Sequence, residues 1–153
     1  MQDNQHMLGH LARRFQQLAV AEFFSQVEAR DCDLTPVQYA ALLGVHHHPG
    51  IDQATLSGII AYDRATIGGV VDRLKKKGLL TRKVNKKDRR ARELYVTALG
   101  LETLHRIVPA VEAAQRKLAR GLSRTEATQL MRLLRKAINA ADGMNGTPLR
   151  IKP

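Results

Sequence analysis

The 153-residue sequence predicts a mainly α-helical fold with one small β-hairpin. Three observations predict it. Apolar residues make up 44% of the chain, enough for a buried core. Aromatics are only 4% and Trp is absent, so that core must be built from Leu, Ile, Val and Ala. Apolar positions recur every three to four residues over most of the length, and only around residues 79–96 does the pattern shorten toward two. A chain of this length fits one domain.

The first helix is predicted from Leu8 to Val27, with Leu8, Leu11, Ala12, Phe15, Leu18, Ala19, Phe23 and Val27 along one stripe. Asp31-Cys32-Asp33 ends it. Thr35-Pro36-Val37-Gln38 then starts a second helix, with Thr as N-cap, Pro in the first turn and Gln closing a capping box. That helix runs to about His47 and stops at Pro49-Gly50. Asp52 caps a short third helix through Ile60, and Ala61-Tyr62 makes a tight turn. Asp63 caps a fourth helix, Arg64 to Lys77, which Gly78 ends. Leu79–Val84 and Ala91–Val96 read as two strands around a polar loop, Asn85 to Arg90. Thr97 caps a fifth helix bearing Leu101, Leu104, Ile107, Val108, Val111 and Leu118. Pro109 inside it predicts a kink or break one turn earlier. Ser123 to Glu126 is a second capping box, opening a sixth helix with Leu130, Leu133, Leu134, Ala137 and Ile138 on one side. From Gly143 the composition turns to loop. The organisation expected is a single domain over residues 1–142: flanking helices at about 7–30 and 98–141, a central lobe at about 35–97, and a tail at 143–153.

Charge is concentrated in that central lobe. Eleven of the 25 Lys and Arg residues fall between Arg73 and Arg92, with Asp88 the one acid among them. This window carries +10 of the formal +11. A solvated face would mix signs, whereas Lys75, Lys76, Lys77 and then Lys86, Lys87, Arg89, Arg90 have no acid on either side of Gly78-Leu79-Leu80 that offsets them. Such a patch concentrates a polyanion, and nucleic acid is the densest in a cell. The sequence pI of about 10.4 agrees.

A short helix, a tight turn, a second helix and a basic hairpin form a winged helix-turn-helix. A major groove admits one helix, whose N-terminal residues reach base edges while its neighbour braces it on the backbone. Arg64, Thr66 and Ile67 stand at that N-terminus, and Arg73 and Lys76 follow on the same helix. Arg89 and Arg90 at the wing tip suit a narrow minor groove, with Lys86 and Lys87 on phosphates. Gly68-Gly69 costs the helix about 2 kcal/mol of propensity against two alanines. Close approach of DNA and packing on the third helix would each explain it.

The stretch Leu56-Ser57-Gly58-Ile59-Ile60, Asp63 to Ile67, Val71 to Leu80, Asp88-Arg89-Arg90-Ala91 and Leu94-Tyr95-Val96-Thr97-Ala98-Leu99-Gly100 resembles the MarR family of bacterial transcription regulators. The match covers about residues 53–100, and the helical flanks agree with that family's layout. The resemblance implies a homodimer joined through its terminal helices. It implies repression by binding a pseudo-palindromic double-stranded operator, relieved by a small ligand that is often an aromatic anion. It makes Arg89 the minor-groove residue and Asp88 the brace of the wing, through a basic partner such as Arg73. It extends to regulators of aromatic-acid breakdown, which makes a nicotinate-type acid a candidate effector.

A pocket for such an effector is expected where the flanking helices meet the lobe, lined by His10, Arg14, Tyr39, His46 and Tyr62. These supply flat apolar walls and cationic donors for a carboxylate. Arg13 and Arg30 are further arginines beside that junction. His46-His47-His48 does not predict a metal, because successive helical positions point about 100° apart; one of the three is left to face inward. His6 and His10 are one turn apart but lack a third ligand. No cofactor is expected. Cys32 cannot form an internal disulfide, and Asp31 and Asp33 beside it disfavour a reactive thiolate, so a redox-sensing regulator is the weaker alternative. A basic module that coats DNA or RNA by charge alone is the other. Nothing pairs a nucleophile with a base and no Gly-rich phosphate loop occurs, so catalysis is not expected. No signal-peptide pattern or apolar run of membrane-spanning length is found. The expected setting is the cytoplasm, on the nucleoid.

Overall fold

Local signals place the elements close to where the periodicities put them. In the computed structural model, which describes residues 7–84 and 92–144, the order is α1 Leu8–Glu28, α2 Pro36–His47, α3 Gln53–Ile59, α4 Arg64–Lys76, β1 Leu80–Val84, β2 Arg92–Val96, α5 Ala98–Leu118 and α6 Arg124–Met144. The wing-tip residues Lys86, Lys87, Asp88, Arg89 and Arg90 lie outside the described residues, as do His6 and residues 145–153.

Each predicted cap forms. The Thr35 hydroxyl accepts from the Gln38 N–H while the Gln38 side chain accepts from the Thr35 N–H, both at 3.3 Å. Losing a cap of this kind costs about 1 kcal/mol. Asp52 and Asp63 accept from the N–H of Thr55 and Thr66, each at 2.9 Å. Thr97 accepts from Gly100 at 3.0 Å, and Ser123 and Glu126 exchange a reciprocal pair. At the far end of α4, Gly78 takes φ +74°. The Gly78 N–H bonds the carbonyl of Lys75 and the Leu79 N–H that of Leu74, both at 2.9 Å. These two crossed bonds form a Schellman ending that turns the chain into β1.

The two strands pair antiparallel from Leu80 opposite Val96 to Val84 opposite Arg92. The other edge of β2 is also occupied. The Gly50 N–H donates to the Leu94 carbonyl at 2.9 Å and the Leu94 N–H to Ile51 at 3.0 Å. Ile51 is thus a one-residue third strand, too short to leave a period in the sequence. At the start of α5 a side chain on Gly100 would meet the Leu79 carbonyl at 2.2 Å, so the helix can sit this close to the wing only through glycine.

One aliphatic core runs through the molecule. Leu42, Val45, Leu56, Ile67, Val71, Leu74 and Leu94 are fully buried and join α2, α3, α4 and β2. Phe23 and Val27 of α1 and Leu104, Ile107 and Val111 of α5 continue it into the flanks. α5 passes Pro109 without a break, so of the expected kink or break the break does not occur. Pro109 lies on the exposed face of α5, where water can serve the carbonyl of His105 that a proline cannot bond. α6 likewise continues through Gly143 to Met144, two residues into the expected tail. Among the described residues no helix is long and apolar enough to cross a membrane.

Candidate nucleic-acid interface

The interface is built on α4. Its buried stripe, Ile67, Val70, Val71 and Leu74, repeats at three to four residues and packs on α2 and α3. The opposite side of α4 is therefore committed to solvent, and Arg64, Thr66, Arg73 and Lys76 are exposed there. Ile67 is not among them. It is fully buried, so the expectation that it contacts DNA is corrected: at its place in the 3–4 stripe an isoleucine fills the core.

The helix N-terminus is tightly organised. Thr66 donates its hydroxyl to one oxygen of Asp63 at 2.5 Å and its N–H to the other at 2.9 Å. These bonds hold the Asp63 carboxyl below the usual aspartate range. Asp52 is lowered in the same way by Thr55 at the start of α3. Thr66 has thus committed its hydroxyl proton to the cap and is left with its methyl and lone pairs. Arg64 stands one residue after the cap, exposed and unpaired among the described residues. Before it, Ala61 adopts φ +56°, a left-handed turn that reverses the chain between α3 and α4. The helix start also favours negative charge.

Arg82, which the sequence reading passed over, ties the unit together. From β1 its Nη2 donates to Gln53 Oε1 on α3 at 3.1 Å and to Asp72 Oδ1 on α4 at 3.3 Å. One guanidinium thus fixes both helices relative to the wing. Gln53 in turn sits against Gly68, where an added Cβ would lie 3.3 Å from its amide nitrogen. Gly68 is therefore explained by packing on α3. Gly69 is covered by Arg73, whose Nε donates back to the Gly69 carbonyl at 3.2 Å. Arg73 is thus folded along its own helix. Its expected partner Asp88 lies outside the described residues. Lys83 is held over the Tyr95 ring at 4.9 Å, while the Tyr95 hydroxyl donates to Glu93 at 2.8 Å.

The residues expected around an effector are spread over three elements. Tyr39 on α2 is half-buried against Phe23 of α1, ring centres 5.9 Å apart; burial, and then Glu112, push its hydroxyl above the usual tyrosine range. His10 is half-buried, and Arg14 is exposed on the N-terminal half of α1, where nearly every residue is exposed among the described residues. Tyr62 is exposed in the turn before α4. His46, His47 and His48 are all exposed, so none faces inward; the α2 residues that do so are Gln38, Ala41, Leu42, Gly44 and Val45. Among the described residues no group of three or more His, Cys, Asp or Glu side chains could hold a metal ion. Cys32 is buried, out of easy reach of an oxidant.

Comparison with known proteins agrees with this geometry. A family model described as "MarR family" matches residues 33–91. The chain is 32% identical to the HTH-type transcriptional repressor NicR of Pseudomonas putida, over 90% of this chain and 86% of that protein. The chain belongs to the MarR family. It is a DNA-binding transcriptional regulator with a winged-helix fold. The solved PcaV regulator of Streptomyces coelicolor, in complex with its natural ligand, superposes with a TM-score of 0.84 at 31% identity, covering 92% of this chain and 98% of that one. BpsR of Bordetella bronchiseptica, whose DNA binding is regulated by 6-hydroxynicotinic acid, gives 0.85 at 29% identity, covering 91% and 98%.

Proposed function

We propose that this MarR-family chain is a homodimeric repressor that leaves a pseudo-palindromic operator when a small aromatic acid binds. The observation that carries the dimer is α6. It makes no extended contact with another element of its own chain, yet Leu133, Leu134 and Ile138 are each at least 42% exposed along it. On α1, Leu8, Leu11 and Leu18 are exposed in the same way. Apolar stripes of this length call for a second chain. Two α4 helices then meet half-sites about 34 Å apart.

In this reading Arg64 reads a base edge beside the Thr66 methyl, Arg73 and Lys76 hold phosphates, and Lys86, Lys87, Arg89 and Arg90 carry the wing along the minor groove, braced at Asp88. The effector lies near His10, Arg14, Tyr39, His46 and Tyr62. The second chain supplies the wall that the N-terminal half of α1 lacks. A nicotinate-type acid suits that chemistry, and the relatives regulated by or bound to small molecules support it. The ligand must bind better to a lobe spacing that misfits the operator, since only differential affinity shifts the equilibrium. A coupling of about 1–3 kcal/mol would release DNA 5- to 150-fold. The chain acts in the cytoplasm, without a cofactor or catalytic step.

The test is fluorescence anisotropy on a duplex selected from a random pool, titrated with nicotinate-type and other aromatic acids. Sequence preference with release by one acid class is expected, and Arg14→Ala and His46→Ala should blunt release while sparing DNA affinity. Equal affinity for every duplex, unchanged by any acid, would refute the reading in favour of a charge-only module.

A further inference from the structure

The chain has a second concentration of positive charge that the winged lobe does not use. From Arg116 to Lys136 the sequence holds seven basic residues and one acid, Glu126. That acid is committed to the helix cap, where it accepts from the Ser123 N–H at 2.7 Å. On α6 the charge is ordered. At about 100° per residue, Arg124, Arg132, Arg135 and Lys136 share an arc of roughly 120°, while Leu130, Leu133, Leu134 and Ile138 take the opposite side. The next acid, Asp142, comes more than a turn after Lys136. Arg132, Arg135 and Lys136 are all exposed on that side of α6. None of these three has an acidic or hydrogen-bonding partner among the described residues.

We propose that the basic face of α6 is a second duplex-binding surface, through which a dimer seated on its operator captures another DNA segment without reading its sequence. The inference rests on the dimeric, operator-binding reading above. A second chain covering the apolar arc leaves the basic arc facing solvent. The stripe from Arg124 to Lys136 is about 18 Å long at 1.5 Å per residue. A duplex strand presents a charge about every 3.4 Å, so the stripe faces about five phosphates. A face kept only for solubility would intersperse acids. Arginine forks suit phosphate oxygens. α5 carries the chain about 30 Å from the end of the wing before α6 begins, so the stripe starts well away from the operator.

The experiment immobilises a short duplex selected from a random pool, saturates it with the dimer, and adds a labelled duplex of unrelated sequence. The parent protein should retain the second duplex in a salt-sensitive way. The variant Arg132→Gln/Arg135→Gln/Lys136→Gln alters only exposed side chains. It should keep operator affinity within about twofold, while the salt slope of co-capture falls by about three and co-capture drops at least roughly tenfold at moderate salt. Undiminished co-capture by the variant, or none by the parent, overturns the proposal. So does a variant that dissociates to monomers in light scattering, which would assign the stripe to ion pairs with the second chain, or parent protein that retains an acidic polypeptide in place of DNA. If the random pool yields no preferred sequence, it is the operator reading that fails.

Discussion

The central lobe and the flanking helices solve the burial problem in opposite ways. Between Leu34 and Val96 the lobe covers its own apolar residues: Leu42, Leu56, Ile67, Leu74 and Leu94 lose all their exposure within one chain. The flanks do not. The first half of α1 and the described side chains of α6 keep their stripes open, with Leu8 86% exposed and Ile138 50%. The C-terminal half of α1 is the transition, because Phe23 and Val27 bury there against the core shared with α5. A closed lobe holds its recognition helix at a set angle without help. In the proposed dimer, open flanks make the distance between two such helices a property of the pair of chains, which a ligand at the proposed junction site would bias.

Breaking the open region should give the largest effect. Leu133→Glu/Leu134→Glu places charge on the α6 stripe, and the chain should run as a monomer in light scattering. Operator affinity should fall about 10²- to 10⁴-fold, the usual advantage of two linked binding modules. The lobe should stay folded by circular dichroism. Retention of a dimer would assign the interface elsewhere. Breaking the closed region should do the reverse. Leu56→Ala empties a fully buried site between α2, α3 and α4, at a cost of about 2–5 kcal/mol in chemical denaturation, with the dimer interface unchanged once folded.

The same contrast decides what was legible in the sequence. The lobe's elements are announced by local chemistry: a Thr or Asp at each helix start and Gly78 at an end. Those signals act within four residues of chain, so the sequence carries them whole. Features that depend on where distant elements land were hidden. Ile67 looked like a base contact because it stands beside Arg64 and Thr66, and only the 3–4 register of α4 with Val70 and Val71 turns it inward. Arg82 looked like one more charge of a basic run; its role depends on Gln53, 29 residues away in the chain. The one-residue strand at Ile51 is too short to show a period, and Pro109 was read by its usual effect without knowing that its face of α5 is wet. At the proposed effector site His10, Arg14, Tyr39, His46 and Tyr62 are spread over α1, α2 and the turn before α4, and in the proposed dimer their enclosure depends on a second chain.

A smaller perturbation sharpens the comparison inside the lobe. Arg82→Ala removes the bonds to Gln53 and Asp72 that tie β1 to α3 and α4. Both carboxylate and guanidinium reach water, with side-chain exposures of 67% and 27%, so stability should fall by only about 1 kcal/mol. DNA affinity should fall further than stability accounts for, because the wing loses its fixed angle to α4. Arg82→Lys should not restore it, since the lysine side chain is one bond shorter and its ammonium falls short of the position from which Nη2 reaches both acceptors. Equal losses in stability and affinity would reduce Arg82 to an ordinary surface pair.

The smallest effect expected is in acid. Asp52 and Asp63 cap α3 and α4, the helices of the proposed DNA-binding unit, and bonds from Thr55 and Thr66 lower both carboxyls from the usual value of 3.8. A lowered folded-state pKa means that the unfolded chain binds the proton more readily. The stabilisation from each cap is therefore fully present above the ordinary aspartate range and is lost as pH falls through the lower folded value. Near neutral pH neither cap should contribute any pH dependence. Below about pH 4 the midpoint of chemical denaturation should decline. Asp63→Asn keeps a capping oxygen and removes the titration, so part of that acid sensitivity should vanish with little change at pH 7. The flanking capping box is a control, because Glu126 is also lowered, by the Ser123 N–H, but sits on α6, outside the lobe. Asp63→Asn should alter the acid response of operator binding, and Glu126→Gln should leave it as it is. An acid profile that responds to Glu126→Gln and not to Asp63→Asn would place the sensitivity in the flanks and sever it from the recognition helix.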